Sequence, residues 1–245
     1  MLNEFSRTEL LIGKEAIDKL NNSKVCIFGI GGVGGYVAET LARAGVGSFV
    51  LVDNDSVSLT NCNRQIVANH NTIGMEKTNV MKEHILAINP NAKVEVRNCF
   101  FLPENEDTFD FKEYDYVVDA VDTISAKIAI VMKADRENVP VISCMGAGNK
   151  MNPNMFEVAD IYKTSVCPLA RVMRYELKKR HIKKLKVVYS KESPLQGDAT
   201  VQEVVKGEVP NSKKRMIPGS TPFAPAGAGL LIASEVMKDL IGWNK

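Results

Sequence analysis

The sequence has no two cysteines in C-x-x-C spacing. Its five cysteines, Cys26, Cys62, Cys99, Cys144 and Cys167, are scattered and odd in number. Neither a zinc ribbon nor a disulfide framework is indicated, and a reducing, cytoplasmic setting is the simple reading. The three histidines, His70, His84 and His181, share no metal-ligand spacing, and each reads as an ordinary polar residue. No apolar run approaches the ~18–20 residues of a membrane span. The nearest, AGAGLLIASEVM, is broken by Ser234 and Glu235. No basic start leads into an apolar stretch, so no secretory signal is expected. Net charge is only +2 over 245 residues, too little to name a partner, so any basic surface must be local. Internal repeats and low-complexity tracts are also missing. What is present is an ordinary globular balance, 45% apolar and 24% charged, which can bury a sizeable core.

Short β-branched runs alternate with helical patterns. KVCIFG (24–29), SFVLVD (48–53), KVEVRN (93–98), DYVVDA (115–120) and PVISC (140–144) read as strands. Residues 34–45, 76–88 and 123–138 read as the helices between them, with Gly45 a stop signal and Pro90 just past the second. Strands apolar on both faces and separated by helices predict an α/β fold, a doubly wound, mostly parallel sheet. Residues 1–150 form its core on this reading. Residues 151–245 form a C-terminal elaboration of the same domain. MFEVADIY and LKVVYS (185–190) read as strands, 166–180 as a basic helix, 191–219 as a long loop and 226–241 as a final helix packed back on the sheet.

GIGGVG places Gly29, Gly31 and Gly34 in G-x-G-x-x-G spacing, with Gly32 between them, after a strand and at the opening of a helix. That context makes the motif Rossmann-like. The first glycine permits a tight turn, the second lets phosphates approach the backbone, and the third lets helix and strand pack closely. The free N–H groups of the helix start favour an anion. Asp53, at the end of the second strand, is placed to bond ribose hydroxyls. The motif alone does not choose between NAD and ATP. ATP carries more negative charge and calls for more cations. Arg64 and Lys77 supply them, and Asp122 follows the fourth strand, where a carboxylate beside a polyphosphate suits Mg²⁺. Taken singly, Lys77 reads as a surface charge, Asn61 as a turn cap, and Asp122 as a cap for the helix that starts at Thr123.

GIGGVGGYVAETLARAGVGSFVLVDNDSVSLTNCNRQ, GMEKTNVMKEHILAINP and DYVVDAVDT together resemble the superfamily of ubiquitin-activating enzymes and their bacterial relatives. The resemblance implies an ATP-dependent, carboxylate-adenylating enzyme. In it Asp53 binds ribose, Asn61 and Arg64 hold phosphates, Lys77 neutralises the tail and Asp122 coordinates Mg²⁺. EFSR resembles the family's RYxRQ element, although Glu4 and Thr8 depart from it. Arg7 would then reach into a partner subunit's site, which implies a homodimer. The family also implies a monovalent cation and sulfur-relay or redox partner proteins as expectations.

The second half is similar to one branch. DIYKTSVCPLARVMRYELKK, VVYSKESP and GSTPFAPAGAGLLIASEVMKDLI resemble the tRNA threonylcarbamoyladenosine dehydratases. That implies ATP-dependent cyclisation of the threonylcarbamoyl group on the adenosine next to the anticodon. Because the nucleophile is intramolecular, no enzyme thiol is needed. Cys167 reads first as a small residue before Pro168 and only second as a covalent nucleophile; Cys26 reads as core. A tRNA substrate needs a positive surface. Arg171, Arg174, Lys178, Lys179, Arg180, Lys183, Lys184, Lys186 and Lys191 supply one against a single acid, Glu176, and KKR at 213–215 adds to it. The rival readings are an activator of a ubiquitin-like sulfur-carrier protein, a non-catalytic nucleotide-binding module and, last, an NAD dehydrogenase.

Overall fold

A computed structural model describes residues 2–202 and 217–243. The basic triplet at 213–215 lies outside them. Seven strands form one sheet in the order β3-β2-β1-β4-β5-β7-β6. These are β1 (Lys24–Phe28), β2 (Ser48–Val52), β3 (Lys93–Arg97), β4 (Tyr116–Asp119), β5 (Val141–Cys144), β6 (Phe156–Asp160) and β7 (Lys186–Ser190). All neighbouring pairs are parallel except β6 and β7, which run antiparallel at one edge. The mostly parallel α/β architecture expected from the sequence is thus present, and residues beyond 150 extend the same sheet by two strands. The other edge, β3, is only partly covered; Lys93 and Glu95 are exposed. Charges on an edge strand discourage pairing with another chain.

The helices are α1 (Ser6–Ile12), α2 (Lys14–Asn22), α3 (Gly34–Ala44), α4 (Lys77–Ile88), α5 (Ile124–Glu137), α6 (Pro168–Lys179) and, last, α7 (Phe223–Ile241). Alternate residues of β1 face opposite layers, as a pleated strand requires. Val25 and Ile27 pack with Val37 and Leu41 of α3, Met81 and Ile85 of α4, and Ile232 and Val236 of α7. Cys26 and Phe28 pack instead with Phe101, Phe109 and Phe111 and with Ile130 and Ala134 of α5. Cys26 is fully buried, as a core residue should be. The helix α3 stops at Gly45, which adopts φ +98° and donates its N–H back to Leu41 and Ala42, a left-handed stop that glycine adopts without strain. Beside α3, on the same face of the sheet, lies α7. Gly229 lets it approach closely, since a Cβ there would sit 2.7 Å from Val33 O.

The sequence pattern does not announce α1 and α2. Nothing in α1 is buried; in α2, Ile17 and Leu20 are. The last helix begins at Phe223, earlier than the pattern suggests, because Pro225 falls in its first turn, where no intrahelical N–H is needed. In the stretch read as a long loop, residues 199–202 are helical. The chain moves from β1 outward to β3, then returns to β4 and β5 on the other side. The strand order therefore reverses between β1 and β4. In open α/β sheets the crevice at the carboxyl ends of such a pair is where ligands bind.

Candidate nucleotide-binding site

The turn after β1 and the turn after β4 touch at that crevice. Gly29 has φ +88°, and its N–H donates to Val52 O at 2.8 Å. A Cβ on Gly29 would lie 2.7 Å from Ala120 O, and one on Gly34 only 1.8 Å from Gly29 O. Gly29 therefore requires glycine for conformation and for space, and Gly34 for space. Gly32 lies beside Arg64: a Cβ there would be 3.6 Å from Arg64 Cγ and 3.1 Å from Pro225 Cβ.

Asp53 holds this turn to the loop after β2. One carboxylate oxygen accepts from Ile30 N–H at 2.6 Å and the other from Asp55 N–H at 2.8 Å. A short 3-10 turn at Leu59–Asn61 follows. Asn61 is buried and its Oδ1 accepts from Ser58 N–H at 3.1 Å, so the turn-capping reading describes its side-chain carbonyl. Arg64 is half-buried and, among the described residues, donates only to Thr60 O and Asn63 Oδ1, each at 2.9 Å. It makes no ion pair among the described residues. Burial pulls its pKa down from the usual guanidinium value, a desolvation cost that a bound anion would offset. Asn63 Nδ2 donates to Ser220 O at 3.0 Å and ties this loop to the segment entering α7.

Lys77 is not the exposed charge it resembles in isolation. It is 5% exposed, and its Nζ lies 2.8 Å from Asp55 Oδ2. Asp55 is the partner that sequence reasoning missed, although an acid two residues beyond Asp53 was a visible signal. Asp122 is exposed in the turn between β4 and α5. It does not cap α5: Thr123 occupies the cap position, with no side-chain cap bond. Among the described residues no group of three or more His, Cys, Asp or Glu side chains could hold a metal.

Beneath the Asp122 turn lies a network that the sequence reading did not find. Asp119 and Lys127 are both fully buried, and Lys127 Nζ is 3.1 and 3.0 Å from the two carboxylate oxygens. Nζ also donates to Cys144 O at 2.7 Å, and Ser143 Oγ donates to Asp119. Asp119 Oδ1 accepts from Val121 N–H at 3.3 Å, one residue before Asp122. The signal was an acid closing an apolar strand, which needs a partner when buried. Beside it, Cys144 is buried and its thiol is pushed up to about 12, mainly by desolvation, so it stays protonated near neutral pH.

Residues 5–245 match the ThiF family. The chain belongs to the ThiF family. It is 44% identical over 247 residues to the tRNA threonylcarbamoyladenosine dehydratase of Bacillus subtilis (strain 168), covering 98% of this chain and 96% of that protein. It is 39% identical over 174 residues to the Escherichia coli (strain K12) enzyme of the same name, covering 71% and 65%. Two solved structures of the E. coli tRNA N6-threonylcarbamoyladenosine dehydratase superpose over 98% of this chain and 94% of that one, at 32% identity. The complex with ATP gives a TM-score of 0.86 and the complex with AMP 0.85.

The remaining candidate residues of this ThiF-family chain fall in several places. Arg7 is exposed on α1. Phe5, two residues earlier, is buried against Gly45 at the amino edge of the sheet. A strand of five residues, ~16 Å, separates that edge from the glycine turn, so Arg7 is not beside its own chain's site. Cys167 is buried at the cap position of α6, immediately before Pro168. The basic run divides. Arg174 donates to Thr164 O at 3.0 Å, Lys179 lies 4.0 Å over the Tyr175 ring, and Arg180 pairs with Glu176 at 2.6 Å. Lys186 pairs with Asp239 at 2.7 Å and Lys191 with Glu157 at 2.5 Å. Arg171, Lys178, Lys183 and Lys184 are exposed and make no ion pair among the described residues. Since α6 starts beside Gly146 and ends before β7, Arg171 lies toward the carboxyl edge and Lys178–Lys184 toward the amino edge.

Another missed feature is a clamp on the loop after β5. Lys150 is buried and donates through Nζ to Glu192 O. The Glu192 carboxylate in turn accepts from Met151 N–H at 3.1 Å and Asn152 N–H at 3.0 Å. Those bonds hold Glu192 below the usual carboxylate range. No described helix is long and apolar enough to cross a membrane.

Proposed function

We propose that this chain catalyses the ATP-dependent dehydration of threonylcarbamoyladenosine next to the anticodon of tRNA. The observation that carries the reading is the match to the B. subtilis dehydratase over 98% of this chain and 96% of that protein, which takes in the C-terminal elaboration as well as the nucleotide core. The geometry agrees with the chemistry. Asp53, Arg64 and Lys77 gather with the glycine turn at the strand-order reversal, with Asp122 on the adjoining turn.

In the first step a carboxylate oxygen of the threonine moiety attacks the α-phosphorus of ATP. The bond to the β-phosphate oxygen breaks and pyrophosphate leaves. Two anions must meet, so Arg64 and Lys77 act by screening their repulsion and stabilising the departing charge. In the second step the neighbouring carbamoyl group attacks the activated carbonyl, expels AMP and closes a ring; the net change is loss of one water. Proximity within one nucleotide supplies much of that step. Asp53 would hold the ribose, and Asn61, already committed through Oδ1, would offer its amide to phosphate. Mg²⁺ commonly takes one or two carboxylates together with phosphate oxygens and waters. Asp122 fits such a donor set and would hold the ion that neutralises the polyphosphate.

We assign the working unit as a homodimer, with Arg7 of one subunit completing its partner's site. The exposed Leu2, Leu10 and Leu11 around Arg7 provide apolar surface for that contact. The tRNA would lie along the face carrying Arg171, with Lys178, Lys183 and Lys184 as more distant phosphate contacts, and the enzyme would act in the cytoplasm, where tRNA is found.

The test is mass spectrometry of nucleosides from modified tRNA incubated with the protein and Mg-ATP. The expected product is lighter by one water, with AMP and pyrophosphate released. Arg64→Ala and Asp122→Ala should each lower turnover by about 10²–10³-fold, as loss of one transition-state contact does, with unchanged melting curves. Full activity in either variant would remove that residue from the mechanism. Pyrophosphate exchange stimulated by a carrier protein and never by tRNA would favour the carrier-activating alternative.

A further inference from the structure

The outward side of α6 carries apolar and aromatic surface among its cations. Val172 is 39% and Tyr175 61% exposed, and Lys179 Nζ stands 4.0 Å over the Tyr175 ring. Positions 172, 175 and 179 recur at three- and four-residue spacing and so share one stripe. Arg171 and Lys178, two turns apart, run along one flank of it, exposed and without an ion pair among the described residues. On the other flank Glu176, the acid of α6, is already paired with Arg180 at 2.6 Å. The turn that leads into the stripe is strained. Val166 has φ +58°, and Cys167 N–H donates back to Ser165 O at 2.5 Å, closing a three-residue turn around it. A β-branched residue adopts that conformation only under constraint. Arg174 supplies part of the constraint by donating to Thr164 O at 3.0 Å and to Thr164 Oγ1. Cys167, buried and followed by Pro168, supplies the rest. The result is a valine held outward, 52% exposed, near the carboxyl edge where α6 starts beside Gly146. Backbone strain of this kind clusters where a side chain is put to use.

We propose that this stripe receives unpaired bases of the tRNA anticodon loop, with Tyr175 as a stacking platform. The inference rests on the tRNA reading above and names the side chain that grips a base rather than a phosphate. Charge decides the class of partner. Cations flank an apolar and aromatic surface whose acid is neutralised, which suits a polyanion that also presents flat apolar faces. RNA is such a polymer: its unpaired bases stack on aromatic side chains while cations track the backbone. Distance decides which base is held. Tyr175 lies two turns, ~10 Å, along α6 from the carboxyl edge, too far to touch the nucleoside being cyclised there. It takes a neighbouring base of the same loop. Val166, at the near end, packs on the loop closer to the reacting nucleoside. Stacking tolerates any base, because every base has a π-face, so the grip tells a loop from a duplex without reading one particular sequence.

The experiment is steady-state turnover of a stem-loop RNA carrying threonylcarbamoyladenosine, with Mg-ATP, at several salt concentrations. The full chain is compared with Tyr175→Leu, Tyr175→Phe, Lys178→Ala and Val166→Gly, and each protein is melted without ligand. Tyr175→Leu should raise KM for the RNA about tenfold, the loss of one base stack. Its kcat and its KM for ATP should stay within about twofold of the parent, the mark of binding shared by ground state and transition state. Tyr175→Phe keeps the ring and should match the parent. Neither change should alter how steeply KM depends on salt, whereas Lys178→Ala should lower that slope by about 1, as loss of a phosphate contact does. Val166→Gly should melt no lower than the parent, because glycine holds φ +58° without strain, yet show a KM for the RNA raised several-fold. A parent-like KM in Tyr175→Leu overturns the assignment, since an apolar side chain would then suffice, as on a surface for another protein. A salt slope lowered in Tyr175→Leu as in Lys178→Ala also overturns it. A parent-like KM in Val166→Gly overturns the part given to the turn. A parent chain that binds ATP but neither binds nor turns over the stem-loop overturns the tRNA reading itself.

Discussion

Gly31 and Gly34 belong to one turn but answer to different neighbours. A methyl group at 34 would lie 1.8 Å from Gly29 O, a backbone atom that cannot retreat without opening the turn. Gly34→Ala should cost about 3 kcal/mol or more, read by chemical denaturation. At 31 the same methyl meets only Gln65 Nε2, at 3.9 Å. Gly31→Ala should leave the melting curve within about 0.5 kcal/mol of the parent and weaken ATP binding instead, because on the proposed reading phosphates approach the backbone there. Cys167 invites the opposite expectation. It is 3% exposed and sits under Pro168. In a ring closure with an internal nucleophile, Cys167→Ser should keep its turnover of modified tRNA. A folded, inactive Cys167→Ser would restore a covalent mechanism.

At the level of elements, the Asp119–Lys127 pair joins β4, β5 and the start of α5, and it underlies the turn that carries Asp122. Removing one member of a buried pair leaves the other charge uncompensated, at about 3–5 kcal/mol. Lys127→Met should show that loss in denaturant titration, with a fall in turnover that persists where the protein is still folded. Strands β1, β2, β4 and β5 were legible in the sequence because β-branched runs buried on both faces leave a strong signal, and β3 because Val94 and Val96 alternate with exposed charges. So were α3, α4 and α5 between them. The first two helices were not. In α1 no residue is buried, so no core-facing stripe marks it, and α2 offers only Ile17 and Leu20. Pro225 hid the first turn of α7 for a related reason: proline reads as a breaker unless one knows it occupies an N-terminal turn.

For the molecule as a whole, spacing along the chain was enough to bring Asp53, Arg64 and Lys77 to one edge, with Asp122 on the next turn, because the ends of parallel strands converge by topology. What spacing could not supply was partnership. That Lys77 meets Asp55 and that Asp119 meets Lys127 are facts of packing between elements, which the order of residues alone does not state. The basic stretch after Cys167 shows the same limit. Its charges are contiguous in the chain, yet the acids of α7 and β6 absorb Lys186 and Lys191. The location of α1 has its own arithmetic. If Arg7 serves a neighbour across a two-fold axis, two inactive proteins can rescue each other. Arg7→Ala and Asp122→Ala chains, mixed and allowed to exchange subunits, would form hybrids in half of the pairs, each with one intact centre and one doubly damaged. Activity should rise from near nothing to about a quarter of the parent's, by random pairing within a C2 dimer. Silence after verified exchange would mean that every chain works alone.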